Sequence, residues 1–214
     1  VDELRKPGSL VSSNTSGLPI AGLAEGMSED FRKHWLGTHF FNPPRHMRLV
    51  ELIPTPETAP EVTDFVQQFC DRRLGKVTVF ANDRPNFIAN RIFLFSIMHA
   101  LKTMLDQGLT VEEVDALTGP LIGRPRMATF RLADFTGLDV CLYVAETIYR
   151  LVPEDEKREI YDPPAFLRAM VEKGLLGDKS RKGFYKKVRD VPGTDRLVFD
   201  IETMDYREPR KPSW

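Results

Sequence analysis

The sequence predicts an α/β unit followed by a mainly all-α unit, and two observations support this fold class. Short runs typical of strands alternate with helical runs over residues 1–83, which is the pattern of a parallel sheet with crossover helices. After Asp83-Arg84-Pro85 the apolar spacing becomes helical as far as about Gly174. A chain of 214 residues is long enough for one or two domains. We therefore predict two domains, residues 1–83 and 84–214.

In the first domain, four β-like runs and one amphipathic run predict four strands and a helix. The strands are expected at residues 9–13, 36–41, 47–53 and 76–81. The helix is expected at residues 57–74, and Gly75 should end it, because glycine readily takes the left-handed conformation that closes a helix.

The second domain is predicted to hold five helices and a terminal hairpin. Residues 87–107 are apolar on nearly every face, which indicates a central buried helix. Thr110 and Glu113 have the spacing of a capping box, so the next helix is expected at 111–117. Three more helices are expected at 129–135, 139–151 and 164–173. Residues 183–186 and 196–201, around Pro192-Gly193-Thr194-Asp195, predict a two-stranded hairpin, with a polar tail after it.

Composition and charge narrow the classes of function. Apolar residues make up 42% of the chain and charged residues 29%, as in ordinary soluble globular proteins. No window approaches the roughly 18 unbroken apolar residues of a membrane span, and 30 basic residues balance 31 acidic ones, which disfavours nucleic acid as a partner. Cys70 and Cys141 are predicted to be reduced core residues. These features predict a cytoplasmic protein.

Polar residues gather at the ends of the predicted strands, where open α/β sheets bind ligands. Residues 13–16 (SNTS) follow the first strand, His39 lies near the end of the second, and Glu51 lies in the third. A histidine and a carboxylate on successive strands can meet, and the carboxylate then fixes the imidazole tautomer. His39 is a candidate base and Glu51 its orienting partner. The alternative is a structural core histidine and a solvated glutamate.

Other chemistry fits the sequence less well. A serine hydrolase with Ser16 as nucleophile would lack the G-x-S-x-G turn and would place the histidine before the acid. No metal is predicted, because the four histidines show neither H-E-x-x-H nor paired-cysteine spacing. The basic run at residues 179–187 is either a solvated turn or a contact for a phosphate or nucleic acid. Asn90 and Arg91 form a polar pair in an apolar stretch and are candidates for ligand contact.

Five ordered motifs resemble those of the 3-hydroxyacyl-CoA dehydrogenases of fatty-acid oxidation. The motifs are residues 13–16 (SNTS), 37–43 (GTHFFNP), 47–51 (MRLVE), 83–91 (DRPNFIANR) and 132–139 (LADFTGLD), and the likeness extends to residues 183–185 (GFY). The form of residues 85–87 and of the C-terminal tail is similar to the long bacterial members in which an enoyl-CoA hydratase follows the dehydrogenase.

The resemblance implies a fold, a reaction and a set of site residues. The fold would be the C-terminal half of a Rossmann-type NAD-binding domain, followed by a helical domain like the C-terminal domain of 6-phosphogluconate dehydrogenase. In the family that this chain resembles, the helical domain also forms the homodimer. NAD would oxidise (S)-3-hydroxyacyl-CoA to 3-oxoacyl-CoA. His39 would be the base, Glu51 its partner, and Ser16 and Asn90 would bind the substrate oxygen. Asn42 would lie near the nicotinamide, with Asn14 also in the cofactor site.

The sequence also departs from the family pattern. Asn86 stands where many members have glycine, and Gly17 stands where many have a second serine. No G-x-G-x-x-G turn, which holds the NAD pyrophosphate, occurs in these residues. We therefore expect that the chain begins within the NAD-binding domain and is a weak catalyst alone. Two alternatives are a related dehydrogenase of small hydroxy acids, of the gulonate type, and a noncatalytic dimerisation module.

Overall fold

The protein folds into two compact units, Val1–Arg91 and Ile92–Trp214. A computed structural model describes residues 1–124, 126–188 and 195–212. The predicted domain boundary between residues 83 and 84 lies near this division. Among the described residues, every helix is too short or too polar to span a membrane.

The first unit contains the predicted strands and helix and one helix that was not predicted. Its elements are β1 (Val11–Ser13), α1 (Glu29–Lys33), β2 (Trp35–Phe40), β3 (Leu49–Pro54), α2 (Pro60–Arg72) and β4 (Val77–Phe80). Helix α1 is stabilised by the side chain of Ser28, which accepts a hydrogen bond from the N–H of Phe31 at 3.1 Å. At five residues, α1 is too short to show a helical period in the sequence.

The four strands form one sheet in the order β1-β2-β3-β4. Strands β1 and β2 are parallel, as are β3 and β4, but β2 and β3 are antiparallel. The predicted parallel pairing is therefore confirmed for β1–β2 and β3–β4 and is wrong for β2–β3. Residues 41–48 connect β2 to β3, and a parallel pair needs a crossover of a dozen or more residues. The antiparallel register sets His39 directly opposite Glu51.

Both faces of the β2–β3 pair are covered by apolar side chains. On one face, Trp35 and Ile53 pack with Ile20, Phe31 and Phe87. The other face carries a second cluster, consisting of Leu36, Val50, Leu52, Val62, Val66 and Cys70. Polar side chains that point from these strands are therefore removed from bulk water, which raises the cost of leaving them unpaired.

The second unit is mainly helical and ends in a small sheet. Its elements are α3 (Ala89–Gln107), which begins in the first unit, α4 (Val111–Thr118), α5 (Phe130–Thr136), α6 (Leu138–Leu151), α7 (Ala165–Glu172), β5 (Tyr185–Lys187), β6 (Arg196–Asp200) and β7 (Asp205–Arg207). The five predicted helices are confirmed. The predicted turn at residues 192–195 lies, except for Asp195, outside the described residues.

Two details of this unit differ from prediction. Helix α3 buries Met98, Leu101 and Met104, but Ile92 is 63% exposed, so the helix is not buried on every face. The predicted polar tail contains a third strand, β7, which pairs with β6. Tyr206 anchors it, because its ring contacts Phe199 and its hydroxyl donates a hydrogen bond to the carbonyl of Gly183 at 2.7 Å.

The capping box at the start of α4 is confirmed. The hydroxyl of Thr110 accepts a hydrogen bond from the N–H of Glu113 at 3.3 Å, and the Glu113 carboxylate accepts one from the N–H of Thr110 at 2.8 Å. Thr110→Ala should therefore lower the free energy of unfolding by about 1 kcal/mol in a urea titration. Thr103→Ala is the control, because Thr103 is exposed within α3 and alanine favours a helix interior. Equal effects of the two substitutions would contradict the capping role.

Candidate active site

The candidate site lies at the carboxyl end of β1 and β2 and at the facing residues of β3. Ser16 follows β1, His39 is the second-last residue of β2, and Glu51 is in β3. The structure brings these three side chains together. His39 is 3% exposed and Glu51 is fully buried, so Glu51 is not a solvated glutamate. A buried, hydrogen-bonded His39 fits both a base and a structural core histidine.

A chain of hydrogen bonds joins the three side chains. His39 Nδ1 lies 2.6 Å from Glu51 Oε2, and His39 Nε2 lies 3.1 Å from Ser16 Oγ. A carboxylate can only accept, so Nδ1 carries the hydrogen in neutral His39. Nε2 is then unprotonated and accepts from the Ser16 hydroxyl. Glu51 therefore leaves the basic nitrogen facing Ser16.

The second oxygen of Glu51 is held by the start of α3. Oε1 accepts hydrogen bonds from the N–H groups of Ile88 at 3.0 Å and Ala89 at 2.7 Å. Burial raises the pKa of Glu51, but the hydrogen bonds from His39, Ala89 and Ile88 outweigh it and hold the pKa below its ordinary value. Glu51 is thus an ionised carboxylate in a buried position.

Two aromatic rings surround His39. Its ring centroid lies 4.6 Å from that of Phe41 and 5.6 Å from that of Phe87. Asn86 and Phe87 have φ values of 61° and 49°, a left-handed conformation that is rare for a phenylalanine and is found at functional sites. This turn leads the chain into α3, where the N–H groups of Ile88 and Ala89 donate to Glu51.

The sequence did not predict two features of the site, which are the backbone donors of Ile88 and Ala89 and the rings of Phe41 and Phe87 beside His39. Backbone N–H groups have no residue signature, so the sequence could not show the first pair. The aromatic residues of the motifs HFFNP and PNF offered a signal, since apolar rings beside a predicted base exclude water.

The other predicted site residues lie nearby but outside the chain of hydrogen bonds. Asn14 is exposed, and its Oδ1 accepts from the N–H of Phe40 at 2.8 Å, which ties the end of β1 to β2. Asn42 is exposed in the loop after β2. Asn90 is half-buried in the first turn of α3, and among the described residues no hydrogen bond joins it to His39, Glu51 or Ser16.

The exposed residues Asn14 and Asn42 have side chains of a type that suits the nicotinamide end of a dinucleotide. Asn14 and Asn42 present side-chain amides near the carboxyl ends of β1 and β2, where Rossmann-type sheets bind their cofactor. Amide groups can hydrogen-bond the carboxamide of a nicotinamide. The pyrophosphate-binding turn G-x-G-x-x-G does not occur in the 214 residues, so the described residues fit the nicotinamide end alone.

The acid stability of the fold should depend on Glu51. Its folded-state pKa is lowered from 4.5, so its contribution is present above about pH 4.5 and is lost as the pH falls through the lower folded-state pKa. Urea titrations at pH 6.5 and 4.0 should show that the wild-type protein loses more stability in acid than Glu51→Gln. An unchanged acid loss in that variant would contradict the ionised, hydrogen-bonded carboxylate. Glu25→Gln, at an exposed position, is the control.

The geometry of Ser16, His39 and Glu51 limits the possible reactions but fits more than one class of enzyme. A serine next to a histidine that is held by a carboxylate also occurs in hydrolases, whereas the same pair can serve as the proton acceptor of a dehydrogenase. Within residues 1–124, 126–188 and 195–212, no group of three or more His, Cys, Asp or Glu side chains could hold a metal ion. In open α/β sheets, ligands bind at the carboxyl ends of the strands, where Ser16 and His39 lie.

Comparison with known families identifies the class more closely. The model of the 3-hydroxyacyl-CoA dehydrogenase NAD-binding domain matches residues 1–84, and the model of the C-terminal domain of 3-hydroxyacyl-CoA dehydrogenase matches residues 87–187. The chain belongs to the 3-hydroxyacyl-CoA dehydrogenase family.

Curated relatives agree with this assignment. A probable 3-hydroxyacyl-CoA dehydrogenase of Bacillus subtilis is 48% identical over 99% of this chain, which covers 26% of the relative. Another from Deinococcus radiodurans is 46% identical over 92% of this chain, which covers 56% of the relative. The chain thus spans between about a quarter and just over half of the length of these two proteins.

Solved structures show the same fold. The crystal structure of M. tuberculosis FadB2 matches with a TM-score of 0.78 and 33% identity, over 87% of this chain and 64% of that one. The (S)-3-hydroxybutyryl-CoA dehydrogenase PaaH1 from Ralstonia eutropha matches with a TM-score of 0.75 and 32% identity, over 84% of this chain and 61% of that one. The predicted fold class, a Rossmann-type NAD-binding domain followed by a helical domain, is confirmed.

Proposed function

We propose that the protein oxidises (S)-3-hydroxyacyl-CoA to 3-oxoacyl-CoA with NAD, as a step of fatty-acid β-oxidation. The observation that carries the proposal is the buried pair of His39 and Glu51, joined at 2.6 Å, with His39 Nε2 facing Ser16. An oxidation of a secondary alcohol needs a base that removes the hydroxyl proton as the hydride leaves, and His39 has the geometry for that task.

His39 Nε2 accepts the proton of the C3 hydroxyl. Bound NAD would supply the acceptor for the hydride that leaves C3. Nδ1–H of His39 stays hydrogen-bonded to Glu51, whose ionised carboxylate stabilises the imidazolium that forms. The pair is buried, so this attraction is stronger than it would be in water. In the reverse direction the imidazolium returns the proton to the oxygen of the 3-oxo group.

Four other residues have assigned roles in this proposal. Ser16 and Asn90 hydrogen-bond the C3 oxygen and orient it toward His39. The short distance from Ser16 Oγ to Nε2 supports its role. Asn14 and Asn42 contact the nicotinamide end of NAD.

We also propose that the helical unit forms a homodimer in a cytoplasmic protein. Its exposed apolar side chains, which include Ile92, Phe135 and Tyr143 at 63%, 57% and 67% exposure, support an interface. The alternative of a noncatalytic module would be favoured by His39 and Glu51 side chains that diverge, whereas the two are in contact. No observation favours a small hydroxy acid as substrate.

The proposal is tested with the natural full-length protein that carries these residues. NADH oxidation should be robust with acetoacetyl-CoA and absent with acetyl-CoA, which has no 3-oxo group. Oxidation of NADH or reduction of NAD only with small keto or hydroxy acids would replace the proposed substrate. Hydrolysis of acetoacetyl-CoA without any change in NADH would favour the Ser16 nucleophile instead.

A further inference from the structure

A basic cavity of about 790 Å³ lies in the helical unit and has no role in the proposed oxidation. We define the basic cavity by the described residues that line it, which are Arg131, Asp178, Arg181, Tyr185, Lys187 and Arg196. They include four cations and one carboxylate. A volume of this size is within the range of about 300 to 1,000 Å³ found for small-molecule sites.

Part of this charge is neutralised within the chain. The guanidinium of Arg131 donates to both carboxylate oxygens of Asp178 at 2.8 Å, and Arg196 is paired with Asp195 at 3.2 Å. Among the described residues, Arg181 and Lys187 form no ion pair with a carboxylate, although the charge of Lys187 helps to lower the pKa of Asp195. Counted with Asp195, the described lining residues therefore carry an excess of about two positive charges, which matches a phosphate group near neutral pH.

The backbone holds Arg181 in an unusual conformation. Its φ is +59°, in the left-handed region that long side chains rarely adopt. The turn is closed by the N–H of Arg181, which donates to the carbonyl of Asp178 at 3.0 Å, and by two hydrogen bonds between Gly177 and Lys182. Such conformations cluster at ligand sites. Arg181 and Lys187 thus reach one cavity from a turn and from strand β5.

We propose that the basic cavity binds the phosphate groups of a small phosphorylated molecule. Guanidinium groups bind phosphate oxygens through two parallel hydrogen bonds, and an ammonium group adds a point charge. The Tyr185 ring adds an aromatic wall, and the volume exceeds that of a single phosphate. The rest of the cavity holds the organic part of the ligand.

The test is isothermal titration of the 214-residue chain with inorganic pyrophosphate and with adenosine 3′,5′-bisphosphate at low ionic strength. Saturable binding that weakens as salt is added is expected. Arg181→Gly combined with Lys187→Gln should weaken it at least about tenfold, the effect of losing charge-assisted hydrogen bonds. Glycine suits the left-handed φ at position 181, so this change preserves the turn. Lys187→Gln alone serves if the double variant does not fold.

Lys186→Gln is the matched control. Lys186 precedes Lys187 in β5, and successive strand residues point to opposite faces. Its Nζ lies 5.2 Å from the Tyr206 ring centroid, away from the basic cavity lining. Affinity unchanged in this variant supports a defined site. Equal losses in Lys186→Gln and Lys187→Gln, or no saturable binding of either probe by the wild type, would overturn the proposal.

Tighter binding of the bisphosphate than of pyrophosphate would assign the remaining volume to a nucleoside. Equal affinities would assign the basic cavity to the phosphate groups alone. Both outcomes support the site and distinguish the ligand that it prefers.

Discussion

His39→Gln should lower kcat for acetoacetyl-CoA reduction by about 10² to 10⁴-fold, the range observed when a general acid or base is removed. Glutamine keeps a polar side chain near the position of the ring but cannot exchange a proton at neutral pH. The effect should fall on kcat, with little change in the KM for NADH, because His39 acts on the proton of the reacting oxygen. Steady-state kinetics of the full-length protein measure both quantities.

His46→Gln is the matched control for this prediction. His46 is exposed in the loop between β2 and β3 and is not part of the hydrogen-bonded chain of Ser16, His39 and Glu51, so the same chemical change there should leave kcat nearly unchanged. A His39→Gln variant that keeps wild-type turnover would remove His39 from the mechanism. A variant that loses NADH binding as well as turnover would indicate a structural role.

Gly177→Ala should destabilise the helical unit by about 3 kcal/mol or more. A Cβ at this position would lie 2.2 Å from the backbone oxygen of Asp134, a distance that no rotamer change relieves because the backbone is fixed in α5. The φ of +88° adds the strain of a left-handed alanine, about 1 to 2 kcal/mol, to an overpacking cost of about 1 to 3 kcal/mol.

The close packing of Gly177 against α5 results from the hydrogen bonds that Asp134 accepts. Asp134 is 1% exposed, and its two carboxylate oxygens accept hydrogen bonds from the N–H groups of Phe184 and Tyr185, each at 2.8 Å. The segment that carries Gly177 and Gly183 must approach α5 closely to make these bonds. A Cβ at Gly183 would lie 2.0 Å from the Asp134 carboxylate, so Gly183→Ala should also be strongly destabilising.

Gly174→Ala distinguishes the effect of a steric clash from the effect of backbone strain. Gly174 has a φ of +70°, and a Cβ there meets nothing within 4 Å. The substitution should therefore cost only about 1 to 2 kcal/mol. Urea titrations that rank Gly174→Ala as severely as Gly177→Ala would contradict the close approach to Asp134.

Local patterns in the sequence were enough for most elements. The Thr110–Glu113 capping box and the apolar spacing of α6 are short-range signals, and both appear in the structure. The antiparallel pairing of β2 with β3 was not predicted, because it depends on the length of the loop rather than on the strands. Strand β7 was also missed, since Tyr206 finds its partners, Phe199 and Gly183, only in the folded unit.

Part of the candidate site could also be predicted from local patterns in the sequence. His39 and Glu51 are side chains near strand ends, so their meeting could be expected from the sequence. The N–H groups of Ile88 and Ala89 that complete the partners of Glu51 come from 37 and 38 residues later in the chain. No spacing rule connects them to Glu51, because the left-handed turn at Asn86 and Phe87 brings them there.

The most direct test of the central claim is the tautomer of His39 in the 214-residue chain. Nitrogen-15 NMR of the histidine rings at neutral to mildly alkaline pH distinguishes a protonated from an unprotonated ring nitrogen, and His39→Gln assigns the signal. We expect hydrogen on Nδ1, facing Glu51, and an unprotonated Nε2, and we expect this preference to be weaker in Glu51→Gln. A neutral His39 with hydrogen on Nε2 would contradict it, because that nitrogen could not accept the proton of a substrate hydroxyl.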